Sequence, residues 1–248
     1  MAEITVVVSG ARGKMGQMVT AAVIGAEGMI VAAEVDLGDN LATALKGAQV
    51  MVDFTTPDAA FENAQAALAA GVAPIVGTTG MSPAQVDDIA RHAERAEIGG
   101  AVIPNFAIGA VLMIRLAETA APYFDAVEVI EAHASTKLDA PSGTAVSTAQ
   151  RLAAARRDKP FAYATPEKNT LEHARGAEHA SVAVHSLRLP GVVADQEVVF
   201  GAPGQTLSIA HRTTSREAFM PGVIATIRAV AEHRRFYRSL DAVLGLDA

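Results

Sequence analysis

The chain contains no cysteine. That absence excludes disulfides and every metal site built on thiolate ligands. Positive charge is also in short supply. Only 19% of the 248 residues are charged and the formal net charge is −7, which argues against nucleic acid as a partner. No apolar run approaches the length that spans a bilayer. The first residues, MAEITVVVSG, lack the charged n-region and cleavage site of a signal peptide and have the pattern of a strand. No carboxylate–histidine cluster has metal-ligand spacing, so no metal is expected. Internal repeats and low-complexity tracts are missing as well. What remains is a chain that is half apolar, long enough for one large domain or two modest ones with a real core. It is expected to be soluble and cytoplasmic.

Read in order, the chain opens on a β-branched run, Ile4 to Val8, of the kind a buried parallel strand requires. Gly10-Ala11-Arg12-Gly13-Lys14-Met15-Gly16 follows at once, and then a helical run to about Ala26. Between a strand and a helix, glycines so spaced let backbone approach a pyrophosphate at the helix N-terminus. A second strand, Met29 to Val35, ends beside Glu34 and Asp36. An acid about twenty residues past the glycines suits the adenosine ribose hydroxyls, and Asp36 is preferred because it lies nearer the strand's carboxyl end. Arg12 and Lys14 would tolerate a 2′-phosphate, so NADH and NADPH both stay open.

Further strands are expected at 49–54, 73–76 and 98–103. Helices should start at Thr56-Pro57 and at the capping box Ser82-Pro83-Ala84-Gln85. The loops at 10–16, 55–57, 77–80 and 104–106 then share the carboxyl edge of a parallel sheet. After a helical run from Ile108 to Ala121, the texture changes. Residues 159–180 read as an exposed excursion. Runs at 182–189, 195–201 and 206–212 alternate as antiparallel strands do, and a last helix covers about 216–233. The expectation is an α/β chain: a Rossmann-type doubly wound parallel sheet over 1–129, with 213–248 returning to it. A second α+β domain over 130–212 would hold a mixed or antiparallel sheet.

The stretch EAHASTKLDAPSGTA, Glu131 to Ala145, concentrates chemistry. His133 and Lys137 lie four apart at the end of a β-like run. Pro141 breaks the chain, and Ser142-Gly143-Thr144 precede a helical run from Ala145 to Arg157. An acid or base, a fixed cation and free amides at a helix start suit a small anionic substrate that needs a proton. Equally, the residues taken alone describe a capped surface turn. His173, His179, His185 and His211 fall in loops or exposed strand positions and are read as non-catalytic.

These motifs together resemble the dihydrodipicolinate (4-hydroxy-tetrahydrodipicolinate) reductase family over essentially the full length. The resemblance rests on GARGKMG (10–16), DFTTP (53–57), VGTTG (76–80), PNFAIG (104–109) and above all KLDAPSGTA (137–145). It continues through RGA (175–177), VHSLRLPG (184–191), FGAPGQTL (200–207) and FMPGV (219–223). The short length and the glycine loop look most like actinobacterial members. It implies an NADH- or NADPH-dependent oxidoreductase of lysine and diaminopimelate biosynthesis acting on a cyclic dicarboxylate, usually as a homotetramer built through the second domain's sheet. Gly10, Arg12, Gly13, Lys14, Met15 and Gly16 would hold the cofactor phosphates and Asp36 the ribose. Phe54, Gly77, Thr78, Thr79, Pro104, Asn105 and Phe106 would complete the cofactor site. His133 would be the general acid, Lys137 would pair with one carboxylate, and Ser142, Gly143 and Thr144 would grip the other.

The chain departs from the family at Ala134, where a second histidine is common, at Ser135-Thr136, and at Ile103, where alanine is frequent. Ala134 cannot donate a hydrogen bond, which is expected to weaken substrate binding rather than abolish chemistry. It also motivates an alternative, a reductase of the same fold acting on a different cyclic imine or enamine acid. A non-catalytic NAD(P)H sensor is a third possibility, though such a protein should have lost His133 or Lys137.

Overall fold

The computed structural model describes residues 3–157, 159–162, 168–172 and 174–247. The chain forms two compact units, one of residues 1–108 and 216–248, the other of residues 109–215.

The first unit is built on a six-stranded parallel sheet. In chain order its elements are β1 (Ile4–Ser9), α1 (Lys14–Gly25), β2 (Met29–Val35), α2 (Leu41–Ala44), β3 (Val50–Asp53), α3 (Pro57–Ala69), β4 (Ala73–Val76), α4 (Pro83–Ala96) and β5 (Gly100–Val102). The spatial order from the far edge is an eleventh strand, then β5, β4, β3, β1 and β2. The central strands are continuously apolar because both faces are covered: Val6, Val7, Val8, Val50, Met51, Val52, Ile75 and Val76 are fully buried. Successive strands run outward from β1 in both directions, to β2 on one side and to β3 on the other. Ligands in open α/β sheets collect beyond the carboxyl ends of strands at such a reversal. The loops after β1 and β3 stand there.

Two helix starts show how local sequence sets element boundaries. At α4, Ser82 Oγ accepts from Gln85 N at 3.3 Å and Gln85 Oε1 accepts from Ser82 N at 2.9 Å, the reciprocal capping box, with Pro83 at the first helical position. At α3, Thr56 is the N-cap and Pro57 follows it, but no side-chain cap bond forms.

The second unit begins with α5 (Ile108–Ala120) and continues through β6 (Ala126–His133), α6 (Gly143–Ala155), β7 (Ala177–His179), β8 (Val182–Arg188), β9 (Ala194–Ala202) and β10 (Gln205–Thr213). The sheet order is β10-β9-β6-β8-β7. Its core joins α5, α6 and one sheet face through Ala117, Val127, Val129, Ala145, Ala149, Leu152, Val182, Val184, Val198 and Phe200. This packing corrects the boundary expected at residue 129. The division falls after Ile108, and Ala117 of α5 lies in the second core.

The sheet is mixed. β9 runs antiparallel to β6 and β10, but β8 is parallel to β6 and antiparallel only to β7. Alternation predicts a strand with one open face and says nothing about its direction. The expected excursion at 159–180 lies partly outside the described residues, as does His173, and ends in the short strand β7. The chain then returns to the first unit. The single helix expected over 216–233 is a short 3-10 turn, Arg216–Phe219, followed by α7 (Met220–Glu232). Strand β11 (Phe236–Tyr237) pairs with β5, and α8 (Leu240–Val243) follows. No helix among the described residues is long and apolar enough to cross a membrane.

Candidate active site

In the first unit, the glycine loop turns tightly between β1 and α1. Gly10 has φ +78°, and a Cβ there would lie 2.6 Å from the carbonyl oxygen of Phe54. A Cβ on Gly16 would lie 2.0 Å from the carbonyl oxygen of Gly10. These two glycines therefore serve close packing of loop, helix and the next strand's exit. Gly13, exposed, is the N-cap of α1, and no side chain caps that helix. Its first amides are left for a ligand anion or water. Arg12 and Lys14 are exposed beside it. These residues fit a dinucleotide's phosphates.

Asp36 is held by the same loop. Its Oδ2 accepts from Arg12 N and its Oδ1 from Leu37 N, both at 2.8 Å. The Leu37 and Arg12 amides keep its carboxyl below the usual range. The Arg12 side chain turns to a second acid, Asp39, at 3.2 Å. Asp39 also accepts from Asp36 N at 2.9 Å. Asp39 sits three residues past Asp36 in a glycine-containing turn and belongs to no motif that marks it from sequence.

A buried acid, Asp53, organises the neighbouring loops. Its Oδ1 accepts from Thr55 N, Thr55 Oγ1 and Thr78 Oγ1 at 3.0, 2.7 and 3.3 Å, and its Oδ2 accepts from Asn63 Nδ2 at 2.8 Å. The hydroxyl of Thr78 is thus committed to the fold. Asn105 is likewise used locally, its Oδ1 accepting from Ala107 N at 2.9 Å. Phe106 is buried against Phe54, with ring centroids 5.8 Å apart. The Phe54 ring packs against Gly77, where a Cβ would come within 2.2 Å of it. Thr79 and Pro104 are exposed. The set is a glycine-floored, aromatic-backed surface at the carboxyl edge, which fits a planar ring.

In the second unit the hub is Glu131, a residue the motif reading did not select. Its side chain is fully buried, yet it is ionic: Arg188 Nη1 and Nη2 donate to its two oxygens at 3.0 Å each. His133 Nδ1 lies 2.5 Å from Oε2, and Ser142 N donates to Oε1 at 3.2 Å. Burial alone would raise the carboxyl's pKa. Hydrogen bonds from Arg188, Ser186 and His133 outweigh it, and the net direction is downward. The strand period puts Glu131 and His133 on one face of β6, a signal present in the sequence. Arg188 arrives beside His133 only through the parallel β6–β8 register, which a single sequence does not disclose.

Lys137 Nζ pairs with Asp139 Oδ1 at 2.8 Å, and Arg188 Nη2 donates to the carbonyl of Asp139 at 2.5 Å. The hydrogen bond from Lys137 N to the carbonyl of Ala134, at 3.0 Å, closes the turn. The helix α6 starts at Gly143, not at Ala145 as expected. Ser142 is its N-cap and accepts from Ala145 N at 3.2 Å. A Cβ on Gly143 would meet nothing within 4 Å, so the helix start faces open space there. His133, Lys137, Ser142, Gly143 and Thr144 are thus brought onto one short segment braced by Glu131 and Arg188. Of the other histidines, His211 is half-buried on the inner sheet face against Gly109 rather than exposed, and burial pulls its pKa down. No group of three or more His, Cys, Asp or Glu among the described residues is placed to hold a metal ion.

A parallel nucleotide-type sheet followed by a mixed-sheet unit with a histidine, a lysine and a serine-capped helix start fits a nucleotide-dependent oxidoreductase. The comparisons narrow this. The dihydrodipicolinate reductase N-terminus family model matches residues 4–106, and the C-terminus model matches residues 109–244. The 4-hydroxy-tetrahydrodipicolinate reductase of Thermosynechococcus vestitus is 42% identical, with 97% of each chain covered. That of Corynebacterium diphtheriae is 43% identical, over 93% of this chain and 94% of its own. A solved dipicolinate-bound dihydrodipicolinate reductase from Paenisporosarcina sp. TG-14 superposes with a TM-score of 0.86 at 38% identity, covering 97% of this chain and 99% of that one. The chain belongs to the dihydrodipicolinate reductase family, and with it to the oxidoreductases of lysine and diaminopimelate biosynthesis.

Proposed function

We propose that the protein reduces the dihydrodipicolinate ring, formed from 4-hydroxy-tetrahydrodipicolinate by loss of water, to tetrahydrodipicolinate. A reduced nicotinamide, when bound, supplies hydride to one ring carbon. His133 donates a proton to the neighbouring carbon, so that the ring gains one hydride and one proton. Lys137 exchanges its Asp139 partner for one substrate carboxylate, and the amides of Gly143 and Thr144 with the Ser142 and Thr144 hydroxyls receive the other. A dicarboxylate needs two such cationic or amide-rich ends, and charge-assisted hydrogen bonds are roughly twice as strong as neutral ones. In the first unit, residues 10 and 12–16 receive the cofactor phosphates, Asp36 the ribose, and Phe54, residues 77–79 and residues 104–106 the nicotinamide side.

The observation that carries this reading is His133 on one ionic hub with the start of α6, in a chain matched to the family along its length. The decisive assay is loss of nicotinamide absorbance with the coupled condensation product of pyruvate and aspartate semialdehyde. Lys137→Ala should weaken inhibition by pyridine dicarboxylate far more than it lowers the maximal rate, and unchanged inhibition argues against its role.

On cofactor choice, we propose that NADH is used in preference to NADPH, though both are accepted. The support is electrostatic. The Arg12 guanidinium pairs with Asp39 and also feels the charge of Asp36, and two carboxylates near one guanidinium disfavour a 2′-phosphate. Asp39→Asn should raise activity with NADPH relative to NADH, and an unchanged ratio refutes the assignment. The alternative of a different cyclic imine acid keeps its footing only through Ala134, and turnover of the natural ring would dispose of it. We further propose a cytoplasmic homotetramer assembled through the open face of the second sheet, where Ile130 and Leu187 are exposed. Light scattering tests the mass.

A further inference from the structure

We propose that Glu131 is the positioning residue of this site: it keeps the proton of neutral His133 on Nδ1, so that Nε2 is the nitrogen that exchanges a proton with substrate. The inference rests on the assignment of His133 as the acid, and deepens it.

Three of the groups around the Glu131 carboxylate are obligatory donors: the two Arg188 nitrogens and the backbone amide of Ser142. The Ser186 hydroxyl and the His133 ring are the groups free to donate or accept, and the ring meets the carboxylate through Nδ1 at 2.5 Å. An ionised carboxylate accepts and cannot donate. The bonds that favour ionisation outweigh burial, so the partner nitrogen must be the donor. Nδ1 therefore carries hydrogen whether the ring is charged or neutral. In the charged ring, Nε2–H is the proton left to give. After it has gone, the carboxylate prevents the remaining proton from moving to Nε2, and the ring is ready to be recharged there. The same logic, an acid that sets tautomer and ring orientation without exchanging its own proton, is known from serine hydrolases.

The distribution of donors makes the isosteric amide informative. Oε1 serves Ser142 N and Arg188 Nη2; Oε2 serves Arg188 Nη1 and His133. In Glu131→Gln the amide oxygen is best left where two obligatory donors point, at the Oε1 position. The amide nitrogen then faces His133 and offers it hydrogen. Nδ1 becomes an acceptor and the neutral ring carries its proton on Nε2. The bond to Ser142, and with it the start of α6, is kept.

Nitrogen NMR of the folded protein labelled in histidine tests this in alkaline buffer, with the His133 signals assigned by their loss in His133→Asn. The wild type should show His133 protonated on Nδ1. Glu131→Gln should show protonation on Nε2, with a maximal rate lowered roughly 10²-fold, the span of a lost general acid, and little change in pyridine dicarboxylate binding. A wild-type ring protonated on Nε2 overturns the proposal without any variant, so it stays testable even if the substitution prevents folding. An unchanged tautomer or an unchanged kcat in Glu131→Gln also overturns it. If the tautomer inverts as expected but His133→Asn retains full kcat, the acid assignment falls while Glu131's control of the ring stands.

Discussion

Strand β6 carries a glutamate–histidine–arginine cluster on each of its faces. Inside, Glu131 meets His133 and Arg188. Outside, Glu128 accepts from Arg175 at 2.6 Å and lies 2.8 Å from His185 Nε2. The three residue types are identical, and both arginines form ion pairs with the acid. What differs is water. Glu131 is fully buried, whereas the Glu128 side chain is 33% exposed and Arg175 46% exposed. Solvated charges interact weakly and in shifting geometry. Removed from water and joined by several bonds at once, the same groups hold one arrangement, and losing a partner is costly. Composition therefore does not distinguish a site from a surface cluster here; burial and a shared helix start do.

The largest contrast should come from the histidines. His133→Ala is expected to lower kcat by roughly 10²-fold or more, while His185→Ala should leave it unchanged; steady-state kinetics on both settles the matter. Next come the arginines. Arg188→Met strands a buried carboxylate and should cost about 3–5 kcal/mol, read as a fall in the urea midpoint. Arg175→Met removes a solvated partner and should cost about 0–1 kcal/mol. A smaller effect is expected in acid. Because the folded-state pKa of Glu131 is depressed, its contribution to stability is complete above the ordinary glutamate value of 4.5 and is lost as pH falls through the folded value. The gap in melting temperature between wild type and Glu131→Gln should therefore close below that pH. Least of all, Glu128→Gln should shift the melting temperature slightly and leave dicarboxylate inhibition intact. A Glu128 variant that behaves like the Glu131 one would break the comparison.

Much of this was legible beforehand, and the reasons are local. Strand β2 at 29–35 and strand β4 at 73–76 are bounded by glycine and capping residues, and the capping box at Ser82 formed as its spacing predicts. The residues of the two candidate sites were visible because each sits at a strand exit followed by a helix start. What escaped depends on partners distant in sequence. Arg188 is 57 residues from Glu131 and joins it through a parallel register that alternation does not encode. The allegiance of α5 to the second unit is set by tertiary contacts that its own residues do not disclose. Strand β11 is two residues long and exists only because β5 offers an edge. Thr78 and Asn105 are polar loop residues whose donors and acceptors are already taken by the fold.

Ser142's amide and the imidazole of His133 lean on one and the same carboxylate. In the proposed mechanism, grip and proton supply are thereby geared together: a change that tilts the beginning of α6 also tilts the imidazole. Novelty is better tolerated at residues whose side chains share none of those bonds, such as residues 134–136.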